Sequence, residues 1–139
     1  MKYTLKLTCW DKDQTLLSEI RRTVFIEEQY VPEELEWDDD DKTCVHVLIT
    51  DNNIPIATGR IKMDGHIGRM AVLKDYRNKG VGSAVLEALI NFSKTLKMKS
   101  VYLHAQTTAI PFYEKHGFKT SSDEFMDAGI PHKTMKMDL

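Results

Sequence analysis

The sequence predicts an α+β fold, a mixed sheet of six or seven strands with helices on both faces. Three observations carry this expectation. Two turn signals, Asp51-Asn52-Asn53 and Asp64-Gly65, divide residues 44–72 into three β-rich runs, an antiparallel meander. The last of these runs, ending Met70-Ala71-Val72, leads through a basic glycine loop into an amphipathic helix. A further apolar run at 101–104 follows that helix, and a right-handed crossover would make it the parallel neighbour of 67–72.

Taken in order, residues 2–8 alternate so that Tyr3, Leu5 and Leu7 share one face of a half-buried first strand. Asp11 or Asp13 is placed to cap a helix whose apolar positions are Leu16, Leu17, Ile20, Val24 and Phe25, and which should end before Pro32. From Glu33 to Asp41, seven of nine residues are acidic. The meander strands are 44–49, 54–62 and 67–72. Val81, Val85, Ala88, Leu89, Phe92 and Leu96 then form one helical stripe suited to packing on the sheet. Thr107 or Thr108 is a candidate cap for a short helix ending at Gly117, a residue suited to the left-handed position after a helix. Residues 118–119 and 133–137 supply the last strands.

The bulk composition excludes several classes. The 139 residues are expected to form one domain, 1–139. With 42% hydrophobic residues, 29% charged and a net charge of −2, the basic residues are scattered and give no reason to expect nucleic acid. No apolar run approaches the roughly 20 residues that cross a bilayer, and Met1 to Leu7 lacks a signal peptide's apolar core, so no membrane association and a cytoplasmic location are expected. Cys9 and Cys44 read as two buried thiols, and the histidines at 46, 66, 104, 116 and 132 lack metal-ligand spacing, so no metal is expected.

The glycine loop Arg77-Asn78-Lys79-Gly80-Val81-Gly82-Ser83 carries the chemistry. The first amides of a helix have no intrahelical partner and the macrodipole places about half a positive charge there, so an anion fits that end. Gly80 and Gly82 let the backbone approach a ligand closely, and Arg77 and Lys79 add charge. The loop lacks the Gly-Lys-Ser/Thr ending of a Walker motif and the three glycines of a Rossmann fingerprint. Phosphate binding and an ordinary strand-to-helix connection both remain open on these local grounds.

The order Arg77-x-x-Gly80-x-Gly82 after an apolar strand resembles the acyl-CoA signature of the GNAT N-acetyltransferase superfamily. Ala109-Ile110-Pro111-Phe112-Tyr113-Glu114-Lys115-His116-Gly117-Phe118 is similar to the A-x-x-F-Y-x-x-x-G-F segment that follows the fifth strand there. Val24 to Gln29 with its downstream acidic run, and Ala128-Gly129-Ile130-Pro131-His132, resemble the subgroup typified by ElaA and YjcF. The resemblance spans essentially the whole chain. It implies a GNAT-like fold whose central parallel strands splay apart to take the pantetheine arm of acetyl-CoA, the cosubstrate. It also implies transfer of the acetyl group to an amine.

An acetyl thioester is already activated, so the site must hold it beside a neutral amine, polarise its carbonyl and handle two protons. The resemblance implies that residues 77–83 hold the pyrophosphate and that Met70, Ala71 and Val72 pair with the pantetheine and the acetyl carbonyl. Gln106 replaces the asparagine most relatives carry three residues before the motif's alanine; its amide can still bond the pantetheine. The same resemblance implies that Tyr113 is the candidate acid for the departing thiolate. Glu28 ranks first as the base for the amine, with His132 second and His104 a further rival. The acidic run reads either as a solvated loop or as a lure for a small cationic amine, with Trp37 available for cation–π contact. Two other functions stay open, a non-catalytic acyl-CoA sensor and an acetyltransferase of protein lysines or N-termini. An exposed edge near 118–137 would permit a homodimer.

Overall fold

The computed structural model describes residues 3–139, in which eight strands form two four-stranded sheets. The first sheet is wholly antiparallel and runs β1 (Tyr3–Thr8), β2 (Val45–Asp51), β3 (Ile54–Ile61), β4 (Ile67–Val72). Asn52 and Asn53, at φ 49° and 70°, close the β2–β3 hairpin in the doubly left-handed turn that matches strand twist. The second sheet holds β5 (Ser100–Gln106), β6 (Lys119–Thr120), β7 (Phe125–Asp127) and β8 (Ile130–Asp138). There β8 lies antiparallel to β5 on one side and to both short strands on the other. The mixed α/β class is as the sequence predicts; β7 is the strand it missed.

Helices cover both faces of the first sheet, as alternation along β2 requires. Val47 and Ile49 pack with Val81, Val85 and Leu89 of α3 (Val81–Thr95). Leu48 turns the other way, to Leu17, Ile20 and Val24 beside α1 (Trp10–Arg21). Both helices lie over β2 to β4. Edge strand β1 is therefore left uncovered, and Leu5 and Leu7 are exposed rather than half-buried. Cys9, expected to be buried, is exposed at the entry to α1, whereas Cys44 is buried. Leu96, the last position of the expected stripe, lies beyond the end of α3 and is exposed.

The expected caps are also replaced. No side chain caps α1; Asp13 instead accepts the Thr8 hydroxyl at 2.5 Å and pairs with Lys6 at 3.0 Å, and its backbone leaves the helical region. Residues 107–109 form a tight turn of their own, and α4 (Ile110–Lys115) starts after Ala109 without a threonine cap. Gly117, at φ 99°, takes the left-handed position expected of it. The chain does break before Pro32, but through a wide π-type segment, Arg22–Glu28, followed by a single turn, α2 (Glu33–Glu36).

The central strands splay as the family resemblance implies. Among the described residues, the sheets are joined by a single parallel bridge, His66–Tyr102, at the start of β4, where the Tyr102 amide donates to the Gly65 carbonyl at 3.0 Å. Gly65 has φ 93°, and a Cβ there would lie 2.8 Å from the Ser100 carbonyl, so the apex of the wedge demands glycine. Above it, Thr58 pairs with Ala71 and Arg60 with Gly68, so Arg69 and Met70 together oppose Gly59. This bulge, with Arg69 at φ 50°, twists β4 as it leaves β5. The edge expected near 118–137 is formed by the short strands β6 and β7, which lie along β8; β1 forms a longer edge on the first sheet.

Candidate active site

The glycine loop leaves β4 through a tight turn at Lys74–Tyr76 and enters α3 with Asn78 at φ 61° and Gly80 at φ 80°. The first helical amide bond of α3 runs from Ala84 to the Gly80 carbonyl, so the amides of Val81, Gly82 and Ser83 precede the ladder. Nothing lies within 4 Å of where a Gly80 Cβ would stand. These three amides and the open space beside them fit an anionic phosphate group. Arg77 donates through Nε to the Val72 carbonyl at 2.9 Å and is clamped in bidentate fashion by Glu28 at 2.6 and 2.7 Å. That hydrogen bond holds the Glu28 carboxyl below its ordinary range, which makes it a poorer proton acceptor.

The wedge between β4 and β5 opens into a cavity of about 390 Å3. Met70, Gln106, Tyr113 and His132, all singled out from the sequence, share its wall; Glu28 does not line it. Tyr113, on α4, points its hydroxyl at the Met70 sulfur 3.8 Å away, and desolvation pushes the phenol up to about 12. It therefore stays protonated across the working pH range. His132 is buried and donates from Nδ1 to the Ile130 carbonyl at 2.7 Å, so that in the neutral ring Nε2 is the acceptor. Gln106 donates to the Gln29 side chain at 2.9 Å, joining β5 to the end of the π-type segment. His104, the third rival base, is exposed and bonded to Thr134 at 3.0 Å, with desolvation lowering its ring. Gln29, Arg69 and Asp127 line the cavity without having been singled out. Only Gln29 had a signal, its place in the Val24–Gln29 stretch.

The acidic run is neither a solvated loop nor a free negative surface. Glu36 and Asp41 are buried against Arg21, at 2.8 and 2.7 Å, and the Arg21 guanidinium lies between Trp10 and Trp37 at 5.4 and 5.2 Å from their ring centres. Arg60 grips Asp38 at 2.7 and 2.8 Å and also reaches Asp41; Arg69 reaches Glu36 and Asp38; Lys62 reaches Asp40. Three guanidiniums thus face three carboxylates in one network. The Arg60 hydrogen bonds hold Asp38 down from 3.8 to about 2. A carboxyl depressed on folding adds stability above its unfolded value and loses it as pH falls through the folded one. Chemical denaturation should therefore show a decline between pH 4 and pH 2, worth about 1 kcal/mol after solvent screening of this part-exposed pair. Asp38→Asn should remove that component.

Among the described residues no group of three or more His, Cys, Asp or Glu is placed to hold a metal, and no helix is long and apolar enough to cross a membrane. The free amides at the start of α3, the splayed strands and the phenol in the wedge agree with the acyl-CoA-dependent transferases that the sequence resembles. A family model described as an acetyltransferase (GNAT) domain matches residues 11–139, and the chain belongs to that family of N-acetyltransferases. It is 40% identical over 123 residues to the uncharacterized N-acetyltransferase YjcF of Bacillus subtilis, covering 86% of this chain and 88% of that one. Crystal structures of Escherichia coli ElaA and of an acyl-CoA N-acyltransferase from Pseudomonas aeruginosa each superpose with a TM-score of 0.88 over 98% of this chain and 99% of theirs, at 26% and 23% identity.

Proposed function

We propose that this chain, as one domain over residues 1–139 in the cytoplasm, acetylates the primary amine of a small cationic metabolite by direct attack on acetyl-CoA in a ternary complex. The observation that carries this reading is the single cavity shared by the Tyr113 hydroxyl, the His132 ring and the open edge of β4. The amides of residues 81–83, with Asn78, Lys79 and Gly80, bind the pyrophosphate, and Met70, Ala71 and Val72 orient the pantetheine and the acetyl carbonyl. Gln106 steadies that arm. Tyr113 donates its proton to the developing thiolate. An alkylamine with pKa near 10.4 is neutral about one time in a few thousand at pH 7. His132 Nε2 takes the amine proton. Glu28, ranked first from the sequence, is given the lesser role of holding Arg77, because the guanidinium occupies both of its oxygens.

The test follows thiol release over a panel of polyamines, amino sugars, amino acids and peptides. Release that depends on a small amine is the expected result. Release confined to peptides would transfer the function to protein acetylation, and acetyl-CoA binding without release under any acceptor would leave a sensor.

A further inference from the structure

The cations in the cavity wall are already matched. Arg60 and Arg69 are held by Asp38 and Glu36, and Lys62 Nζ lies 2.7 Å from Asp40. Burial pushes the His66 ring down to about 4 and lowers His104, so neither adds charge at neutral pH. Asp127 is different. It is exposed, lines the same cavity, and among the described residues its carboxylate makes no hydrogen bond or ion pair, its charge acting only on the nearby His104 ring.

Asp127 is also placed in register with His132. Phe125 pairs with His132 and Asp127 with Ile130 across the β7–β8 hairpin, so all four project to one face. Two residues of strand separate the levels of His132 and Asp127, roughly 7 Å at the usual rise. The Phe125 ring stacks on His132 at 6.0 Å and stands edge-on to His104 at 5.3 Å. A chain of about four methylenes between two nitrogens spans a comparable distance with bonds of ~1.5 Å.

Resting on the acetyl-transfer reading above, we propose that Asp127 binds a second cationic centre of the acceptor, which makes short diamines and their longer homologues the preferred substrates. One ammonium sits at Asp127, the methylenes lie along Phe125, and the other nitrogen, deprotonated, faces His132.

The experiment compares kcat/KM for butane-1,4-diamine and butan-1-amine at saturating acetyl-CoA. Counted per amine nitrogen, the native protein should favour the diamine by roughly fivefold, the upper range for a part-exposed ion pair. In Asp127→Asn the ratio should fall to about one, and Asp127→Lys should move the preference to 4-aminobutanoate. Equal values for the two amines, a preference that survives Asp127→Asn, or turnover confined to acceptors without a second cation would overturn the proposal. Absence of thiol release with every acceptor would instead overturn the acetyl-transfer reading.

Discussion

Tyr113→Phe is expected to lower kcat by about 10²- to 10⁴-fold, the range for removing a positioned proton donor, and to leave KM for acetyl-CoA within about threefold. The phenyl ring keeps the contacts with Phe112 and Phe118, at 5.1 and 6.0 Å between ring centres, and the lost hydroxyl had only the Met70 sulfur beside it. Stability should therefore change little. A phenol at about 12 giving its proton to an ordinary thiolate near 8.5 would face an uphill step of ~5 kcal/mol. The departing thiolate is desolvated by the same wedge, which raises its own affinity for the proton and closes the gap. Steady-state kinetics on the variant, with circular dichroism to confirm folding, checks this. An unchanged kcat would remove Tyr113 from the chemistry.

Gly82→Trp is expected to abolish acetyl-CoA binding without unfolding the protein. A Cβ at Gly82 would stand 3.7 Å from Phe112 and 3.8 Å from Val72, ordinary van der Waals contact, and its backbone is not left-handed. The larger indole would then occupy the space in front of the free amides. For the native protein at a hundredfold excess over Kd, ligand binding adds about 2.7 kcal/mol, a rise in Tm of about 8 °C for a chain of this size. The variant should show no rise. A variant shift equal to the native one would place the cosubstrate elsewhere.

The parts of the fold that depend on neighbours in sequence were legible. Asn52-Asn53 made its hairpin because both residues tolerate positive φ, and the helix read from Val81 to Leu96 differs from α3 by one residue at its end. The glycine loop leads into α3, and Tyr113 and His132 line the cavity of the wedge. Features set by distant partners were not legible. The acidic run gave no sign that Arg21, Arg60 and Arg69, from three separate elements, would neutralise Glu36, Asp38 and Asp41. Nor did Glu28 show that Arg77, 49 residues away, would hold it. Leu5 and Leu7 alternate correctly for a half-buried strand; what the pattern lacks is whether a helix covers that strand, and here α1 and α3 pass over β2 to β4 instead. The bulge at Arg69 and Met70 likewise has no local marker, since a left-handed arginine is held by register with β3 rather than by its own preference.

The most direct measurement is a crystal structure of the protein with acetyl-CoA. The account predicts pyrophosphate oxygens on the amides of Val81, Gly82 and Ser83, the pantetheine bonded along Met70 to Val72, and the thioester sulfur within hydrogen-bonding reach of the Tyr113 hydroxyl. Electron density for the cosubstrate outside the β4–β5 wedge, or a sulfur remote from Tyr113, would contradict it.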